Sequence, residues 1–388
     1  MKKPARDTLD KLKKVARFTA IYGPRRAAQK ALGRLRLERP VATRAARHLP
    51  RAGLIGCGQF AFATLGFFLK DRAAVTACYD LDARAARSLA RSHRGCVVAP
   101  SAEAVFADPH LDVVFVASNR ARHASSAVDA LQAGKRVYVE KPVAVTVDQL
   151  RELSAAARRA PDRLWAGYNR PFSRAVRDLK QALGSPQGPL SLSCFVSGHV
   201  LPDDHWYRRA EEGTRICGNV GHWLDLAVHL LAWRGLPDRW RVNLAWSDPQ
   251  QRDENLAINL VSEAGDLVNL VLTARTEPFE GIRESIELQW SGTIASIDDF
   301  RRLTVWQGDR LQRRRYWPKD VGHKDAVGQA FGGGTRPFAE VVDSSLLMLQ
   351  VMEMVKTATA TMDFSFVEAR RTLEAGSLAA GRGVDARS

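Results

Sequence analysis

The chain has 388 residues, a hydrophobic fraction of 45% and a formal net charge of +16. That length suits two domains, and no apolar run approaches the ~20 residues of a membrane-spanning helix. The start, Met1-Lys2-Lys3-Pro4, lacks the apolar stretch of a secretory leader, and five scattered cysteines (Cys57, Cys78, Cys96, Cys194, Cys217) fit neither a disulfide framework nor a zinc site. They read as reduced thiols of a cytoplasmic protein.

Residues 1–50 read as a basic helical extension. They hold 15 Lys and Arg against Asp7, Asp10 and Glu38, which places +12 of the net charge there. Leu9, Leu12, Ala16 and Thr19 keep helical spacing, Gly23-Pro24 breaks that helix, and a second is expected over 27–37. The plain expectation is a solvated or body-packed arm. The alternative is peripheral membrane contact, because basic amphipathic helices bind anionic headgroups. Few aromatics and no recognisable motif argue against a specific nucleic-acid partner.

From residue 51 short apolar runs alternate with helical stretches. Strands are expected at 52–55, 75–79, 113–117, 136–139 and 164–166, with helices at 60–70, 83–91, 122–132 and 147–160. Such alternation predicts an α/β domain over 51–170, a doubly wound parallel sheet of the Rossmann kind. Beyond 172 a helix is followed mostly by strands, at 192–196, 242–246, 256–261, 267–273, 285–289 and 303–306. That order predicts an α+β domain over 171–365 with a mostly antiparallel open sheet. A helix over 344–359 is expected to return to the body, and 366–388 to form a tail.

Gly56-Cys57-Gly58-Gln59-Phe60-Ala61 reads G-x-G-x-x-A, directly after a strand and opening a helix. Gly56 permits the tight turn, Gly58 lets a pyrophosphate approach the backbone, and Ala61 keeps helix and strand close. The free N–H groups of the helix start, at Gln59 and Phe60, complete a phosphate cradle. Asp80 ends the second strand, 22 residues after Gly58. A carboxylate there accepts from ribose hydroxyls and repels a 2′-phosphate, which favours NAD over NADP, although Arg84 nearby softens the preference.

Val137-Tyr138-Val139-Glu140-Lys141-Pro142 is the most specific stretch, a strand ending in Glu-Lys-Pro about 80 residues after the glycine-rich turn. It resembles the glucose–fructose oxidoreductase / inositol dehydrogenase (Gfo/Idh/MocA) family. The strand 113–117 with Ser118, Asn119 and His123, and the segment Gly167-Tyr168-Asn169-Arg170, are similar to the family's next landmarks. The resemblance covers roughly 51–360. It implies that Ser118, Asn119, His123, Glu140 and Lys141 line the cofactor, that Pro142 is cis, and that Lys141 holds a substrate hydroxyl. A partly buried ammonium there would lose proton affinity.

Residues 203–229 are similar to a branch of the family reading "DHW…GGGRI-GE-CHF-D". The general pattern, D-x-G-x-H-x-x-D, places His222 on the acid/base histidine and Asp225 on the last acid. The first acid falls at Gly218, or in the branch at Asn219, so a carboxylate is missing. A second register, Asp225-Leu226-Ala227-Val228-His229, leaves His229 as an alternative proton acceptor. Asn219, His222, Asp225 and His229 share one broad helical face. Tyr168, Asn169, Arg170, His205, Trp206, Arg215, Asn219 and His229 are the expected substrate wall, and the two arginines suggest an anionic substrate. No compact ligand pair supports a metal.

The resemblance implies an NAD-dependent oxidoreductase acting on a secondary alcohol of a sugar, sugar derivative or nucleotide sugar, assembled as a homo-oligomer through the open sheet. The missing acid motivates a rival reading: a catalytically impaired NAD-binding regulator or scaffold.

Overall fold

The computed structural model describes residues 4–36, 48–276 and 281–381. The side chains of residues 4–12, which include Leu9 and Leu12, lie outside the described set, as does residue 37 of the expected second helix. The extension forms two helices, α1 (Pro4–Tyr22) and α2 (Pro24–Leu35). Gly23, at φ 83°, makes the break, and Pro24 at the first turn of α2 is preset for a helix start.

The arm is packed on the body. Gln29 Nε2 donates to the Phe62 carbonyl at 3.1 Å, and Gln59 Nε2 donates to the Lys30 carbonyl at 3.1 Å. Gly33 abuts the Phe62 ring so closely that a Cβ would lie 2.8 Å from it. The carbonyls of Ala20 and Ile21 accept from Trp317 Nε1 (2.8 Å) and Lys319 N–H (2.9 Å). The arm therefore ties the segment behind the glycine-rich turn to a loop of the second domain.

The first domain runs β1 (Arg51–Ile55), a π-turn (Ala61–Leu65) continuing into α3 (Gly66–Leu69), β2 (Ala74–Tyr79), α4 (Ala83–Ser92), β3 (Val97–Val98), α5 (Ala102–Ala107), β4 (Val113–Val116), α6 (His123–Gln132), β5 (Arg136–Val139), α7 (Val147–Arg159) and β6 (Leu164–Ala166). The sheet is parallel throughout, in the order β3-β2-β1-β4-β5-β6. Its central strands are apolar without alternation because both faces are covered; Val113, Val114, Phe115 and Val116 are fully buried. Asp82, Ser101 and Thr146 cap α4, α5 and α7 by accepting N–H groups of the first turn. The strand order reverses between β1 and β4, which opens a crevice at their carboxyl ends.

The second domain starts with α8 (Arg174–Leu183) and β7 (Ser191–Ser197), then a π-turn (Ile216–Val220) leads into α9 (Gly221–Ala232). Strands β8 (Arg239–Trp246), β9 (Leu256–Ser262), β10 (Leu267–Thr273), β11 (Arg283–Trp290), β12 (Thr293–Asp298), β13 (Arg302–Gln307) and β14 (Arg310–Arg315) follow, then α10 (His323–Gly328), α11 (Phe338–Thr357), β15 (Thr361–Ser365) and α12 (Phe366–Gly381). The sheet order is β14-β13-β12-β11-β7-β10-β9-β8-β15, antiparallel except for the parallel pair β7/β10. The strands alternate buried and open positions, as one-sided sheets do. The tail expected over 366–388 is corrected in its described part. It is helix α12, because Phe366 and Leu373 are buried and Arg370 forks onto Asp343 of α11 at 2.6 and 2.7 Å.

A buried charge pair joins the domains. Glu284 of β11 accepts from Arg170 Nε at 2.6 Å and from Trp223 Nε1 of α9 at 2.8 Å. Glu284→Ala strands the Arg170 charge, and a loss of about 3–5 kcal/mol is expected. A urea unfolding midpoint would read it; an unchanged midpoint would show that the pair contributes nothing.

Candidate active site

The glycine-rich turn has the shape that its sequence demands. Gly56 sits at φ 88°, and a Cβ there would overlap the Ala117 carbonyl and lie 2.5 Å from Ser118 N. Around a Cβ built at Gly58 nothing lies within 4 Å, so the outer face of the turn is open where a pyrophosphate would approach. Asp80 accepts from the N–H of Cys57 (2.5 Å) and of Asp82 (2.8 Å), one on each carboxylate oxygen, so it fixes the turn. Ala61 is fully buried, and Phe60 packs on His323 with ring centres 5.7 Å apart. These residues fit a dinucleotide. Gly56→Ala combines a left-handed backbone with a backbone clash, and NADH affinity is expected to fall at least ~10-fold in a fluorescence titration.

Lys141 follows β5 at a cis peptide to Pro142. Its ammonium donates to the Gly218 carbonyl at 2.9 Å. Burial, with the Arg120 and Arg170 charges, lowers its proton affinity, while burial raises that of the adjoining Glu140 carboxyl. Glu140 accepts from the Tyr138 hydroxyl at 3.1 Å, and Gly167 leaves it room, since a Cβ there would lie 2.7 Å from Glu140 Oε1. His123 clamps this turn: Nδ1 lies 2.8 Å from the Pro142 carbonyl and Nε2 lies 3.1 Å from that of Ser118. Burial drives its pKa down to about 4. Asn119 Nδ2 donates to Glu212 at 2.9 Å, so it spans the two domains.

His222 stands in the first turn of α9, directly after the π-turn. Local π-geometry is frequent at functional sites because it re-aims side chains. Nδ1 of His222 is buried and has no partner, and Tyr168 meets the ring edge-on at 6.2 Å between centres. Burial, then the Arg170, Lys141, His323 and Arg120 charges, hold its pKa well below the ordinary histidine value. The ring is therefore neutral near pH 7. Asn219 Oδ1, His323 Nδ1 and Arg120 Nη2 are also buried without partners. Unpaired buried polar atoms are rare, and a cluster of them marks a place where a ligand completes the hydrogen bonding.

Several expected residues lie elsewhere or are already spent. Asp225 is fully buried; Arg336 Nη1 reaches its two oxygens at 2.9 and 2.7 Å, and Ser344 donates at 2.7 Å. It anchors α9 to α11 and does not contact a reacting group. His229 lies two turns further along α9, about 10 Å away. Its Nδ1 meets Glu340 at 2.9 Å and its Nε2 accepts from Trp233, so the second register places no free base in the site. Arg215 is fully buried, paired with Glu254 at 2.9 Å and bonded to the His199 carbonyl at 2.8 Å. Arg170 is spent on Glu284, Asn169 Nδ2 on the Val321 carbonyl, and Gln59 on the arm. Neither expected arginine is free for an anion. His205 and Trp206 instead stack beside Arg120 at the edge of the cluster.

Arg120, Glu212, Glu284, His323 and Arg336 went unnoticed in the sequence. Arg120 alone carried a signal: it is the cation next to Asn119 at the carboxyl end of β4. The others reach the cluster only through tertiary packing.

These features define a Rossmann domain that fits a nicotinamide dinucleotide, followed by a second, mostly antiparallel α/β domain. Residues 50–168 match the Gfo/Idh/MocA model, described as oxidoreductase family, NAD-binding Rossmann fold. Residues 50–168 are thus a Gfo/Idh/MocA-type NAD-binding domain. It is 29% identical over 228 residues to 1-carboxy-3-chloro-3,4-dihydroxycyclohexa-1,5-diene dehydrogenase of Comamonas testosteroni, covering 54% of this chain and 57% of that protein. It is 29% identical over 171 residues to inositol 2-dehydrogenase 3 of Saccharopolyspora erythraea, covering 43% and 50%. The chain spans about half the length of the curated relatives it matches. Among solved structures, UDP-N-acetylglucosamine 3-dehydrogenase of Acidithiobacillus ferrooxidans superposes with a TM-score of 0.64 at 20% identity, covering 80% of this chain and 98% of that one. At that identity the likeness concerns the fold alone.

Proposed function

We propose that the protein is an NAD-linked dehydrogenase that oxidises a secondary alcohol of a sugar, sugar derivative or nucleotide sugar. The observation that carries this reading is the convergence of the Lys141 ammonium and the neutral, unpaired His222 imidazole at the carboxyl ends of β4 and β5. A nicotinamide dinucleotide, with its pyrophosphate held at the glycine-rich turn by Gly56 and Gly58, would supply the hydride acceptor. His222 takes the hydroxyl proton, and Lys141 holds and polarises the same oxygen. Tyr168 walls the His222 ring, and Asn219 Oδ1 is placed to accept from a neighbouring hydroxyl. The Asp80 carboxylate at the ribose position favours NAD over its 2′-phosphate. The names of two relatives refer to an inositol and to a carboxylated dihydroxycyclohexadiene, both rings that carry hydroxyls, which supports an alcohol on a ring as the substrate.

Phe195, Val261, Leu267 and Ile294 are exposed on the open face of the nine-stranded sheet and support contact between copies of the chain there. The test of the reaction is the near-ultraviolet absorbance of reduced nicotinamide, with NAD and a panel of free, UDP- and GDP-sugars. Reduction that requires both Lys141 and His222 supports the reading. Tight NAD binding with no reduction across the panel would favour the regulator.

A further inference from the structure

The cation that the site leaves unpaired is Arg120. It is 3% exposed. Its Nη1 donates to the carbonyls of Thr214 (3.1 Å) and Glu212 (3.3 Å), while Nη2 is buried with no hydrogen-bond partner. The nearby Glu212 carboxylate is taken by Asn119 Nδ2 at 2.9 Å and by the backbone N–H of Arg120 at 2.8 Å, and no carboxylate among the described residues pairs with the guanidinium. The Tyr207 ring covers it, 3.5 Å from the ring centre. Thr214, which presents one of the carbonyls, is a non-glycine residue at φ 55°, so the loop holds the arginine at some cost in backbone strain.

The guanidinium also explains Gly218. A Cβ at that position would overlap both terminal nitrogens of Arg120. Gly218 is thus where the two cations meet: Lys141 binds its carbonyl and Arg120 packs on its α-carbon. Where the related pattern carries an acid, this chain has an empty side-chain position filled by a positive charge. A buried guanidinium that meets no carboxylate directly is expensive, and a ligand that brings the negative charge to it removes the expense.

We infer that Arg120 is a specificity-determining residue that binds a carboxylate on the ring of the substrate, so that this dehydrogenase prefers an acidic sugar to its neutral counterpart. The inference rests on reading this cluster as the substrate site. The unpartnered Nη2 of Arg120 can donate to a carboxylate oxygen, and the Lys141 ammonium meets the same Gly218 and adds positive charge there.

The test uses the full chain loaded with NADH, so that no alcohol can react, and calorimetric titration with matched pairs: glucuronate and glucose, galacturonate and galactose, UDP-glucuronate and UDP-glucose. In at least one pair the acid is expected to bind about 10–100-fold more tightly than the neutral sugar. Arg120→Met should abolish the difference. Gly218→Ala, whose Cβ displaces the Arg120 guanidinium, should abolish it too and gives an independent reading if Arg120→Met fails to fold. Equal affinities within every pair, no binding of any member, or a preference that survives both variants would overturn the inference. So would binding that follows the diphosphate and ignores the ring carboxylate. Turnover of the same pairs with NAD reports separately on the dehydrogenase: Arg120-dependent acid binding without reduction leaves the inference standing and removes the reaction.

Discussion

Lys141→Met is expected to lower kcat/KM by about 10³-fold on the substrate that the panel identifies, with most of the loss in kcat. Methionine fills a similar volume, so the loss isolates the ammonium. That group lies at the carboxyl end of a central strand, beside the Pro142 carbonyl that His123 clamps. Burial and two arginines lower its proton affinity, which suits a group that hydrogen-bonds an oxygen gaining and losing charge. Lys141→Arg should not restore activity, because a guanidinium stays protonated and has a different shape. The pH profile carries a second expectation. The His222 pKa is held well below the ordinary value, so the acid limb of kcat/KM should fall below pH 6.5, since the neutral ring is the base. Steady-state kinetics across pH 5–8 would check both. A variant within tenfold of wild type would shift the weight to the regulatory reading.

Acid should destabilise the fold well before the carboxylates titrate. Burial pushes His93 and His123 each down to about 4, and it drives His222 and His323 well below their ordinary value. The unfolded chain protonates these rings near pH 6.5 while the folded chain keeps them neutral. Below pH 6.5 the unfolded state therefore binds more protons, and stability falls with pH until the folded pKa is reached. For a shift from 6.5 to 4 the loss is about 3 kcal/mol per histidine at pH 4. His93 and His123 together thus remove a large part of an ordinary stability of about 5–15 kcal/mol. Thermal unfolding at pH 7.5, 6 and 5 should show a falling midpoint, and His123→Asn should flatten the fall below pH 6.5. A midpoint independent of pH over this range would show that these rings are solvated in the native state.

The first domain was almost fully legible. Its strands are continuous apolar runs separated by amphipathic helices, and each lies within a residue or two of its expected place. The exceptions, β3 and α5, have two and six residues, too short for a periodic signal. In the second domain β12, β14 and β15 were missed. Strand β14, Arg310–Arg315, has every residue exposed and almost no apolar content, so only its pairing with β13 makes it a strand. The helix expected over 344–359 starts earlier, at Phe338.

Local constraints explain what could be read from residues alone. Gly56 is dictated by a positive φ, Asp80 by its place at a strand end, Lys141 by the strand and turn that carry it, and His222 by its spacing from the landmarks around it. Each is set by neighbours in the chain. The state of the charges is a different matter. Arg170 and Arg215 looked free for an anion, and tertiary packing spent both on Glu284 and Glu254, more than a hundred and nearly forty residues away. Arg120 went unnoticed, and the same packing left it buried, capped and unpaired beside Gly218. A sequence names the charges that a site can hold. Burial and pairing across the two domains decide which of them remain to meet a substrate, because the field at a buried group depends on partners that lie far apart in the chain.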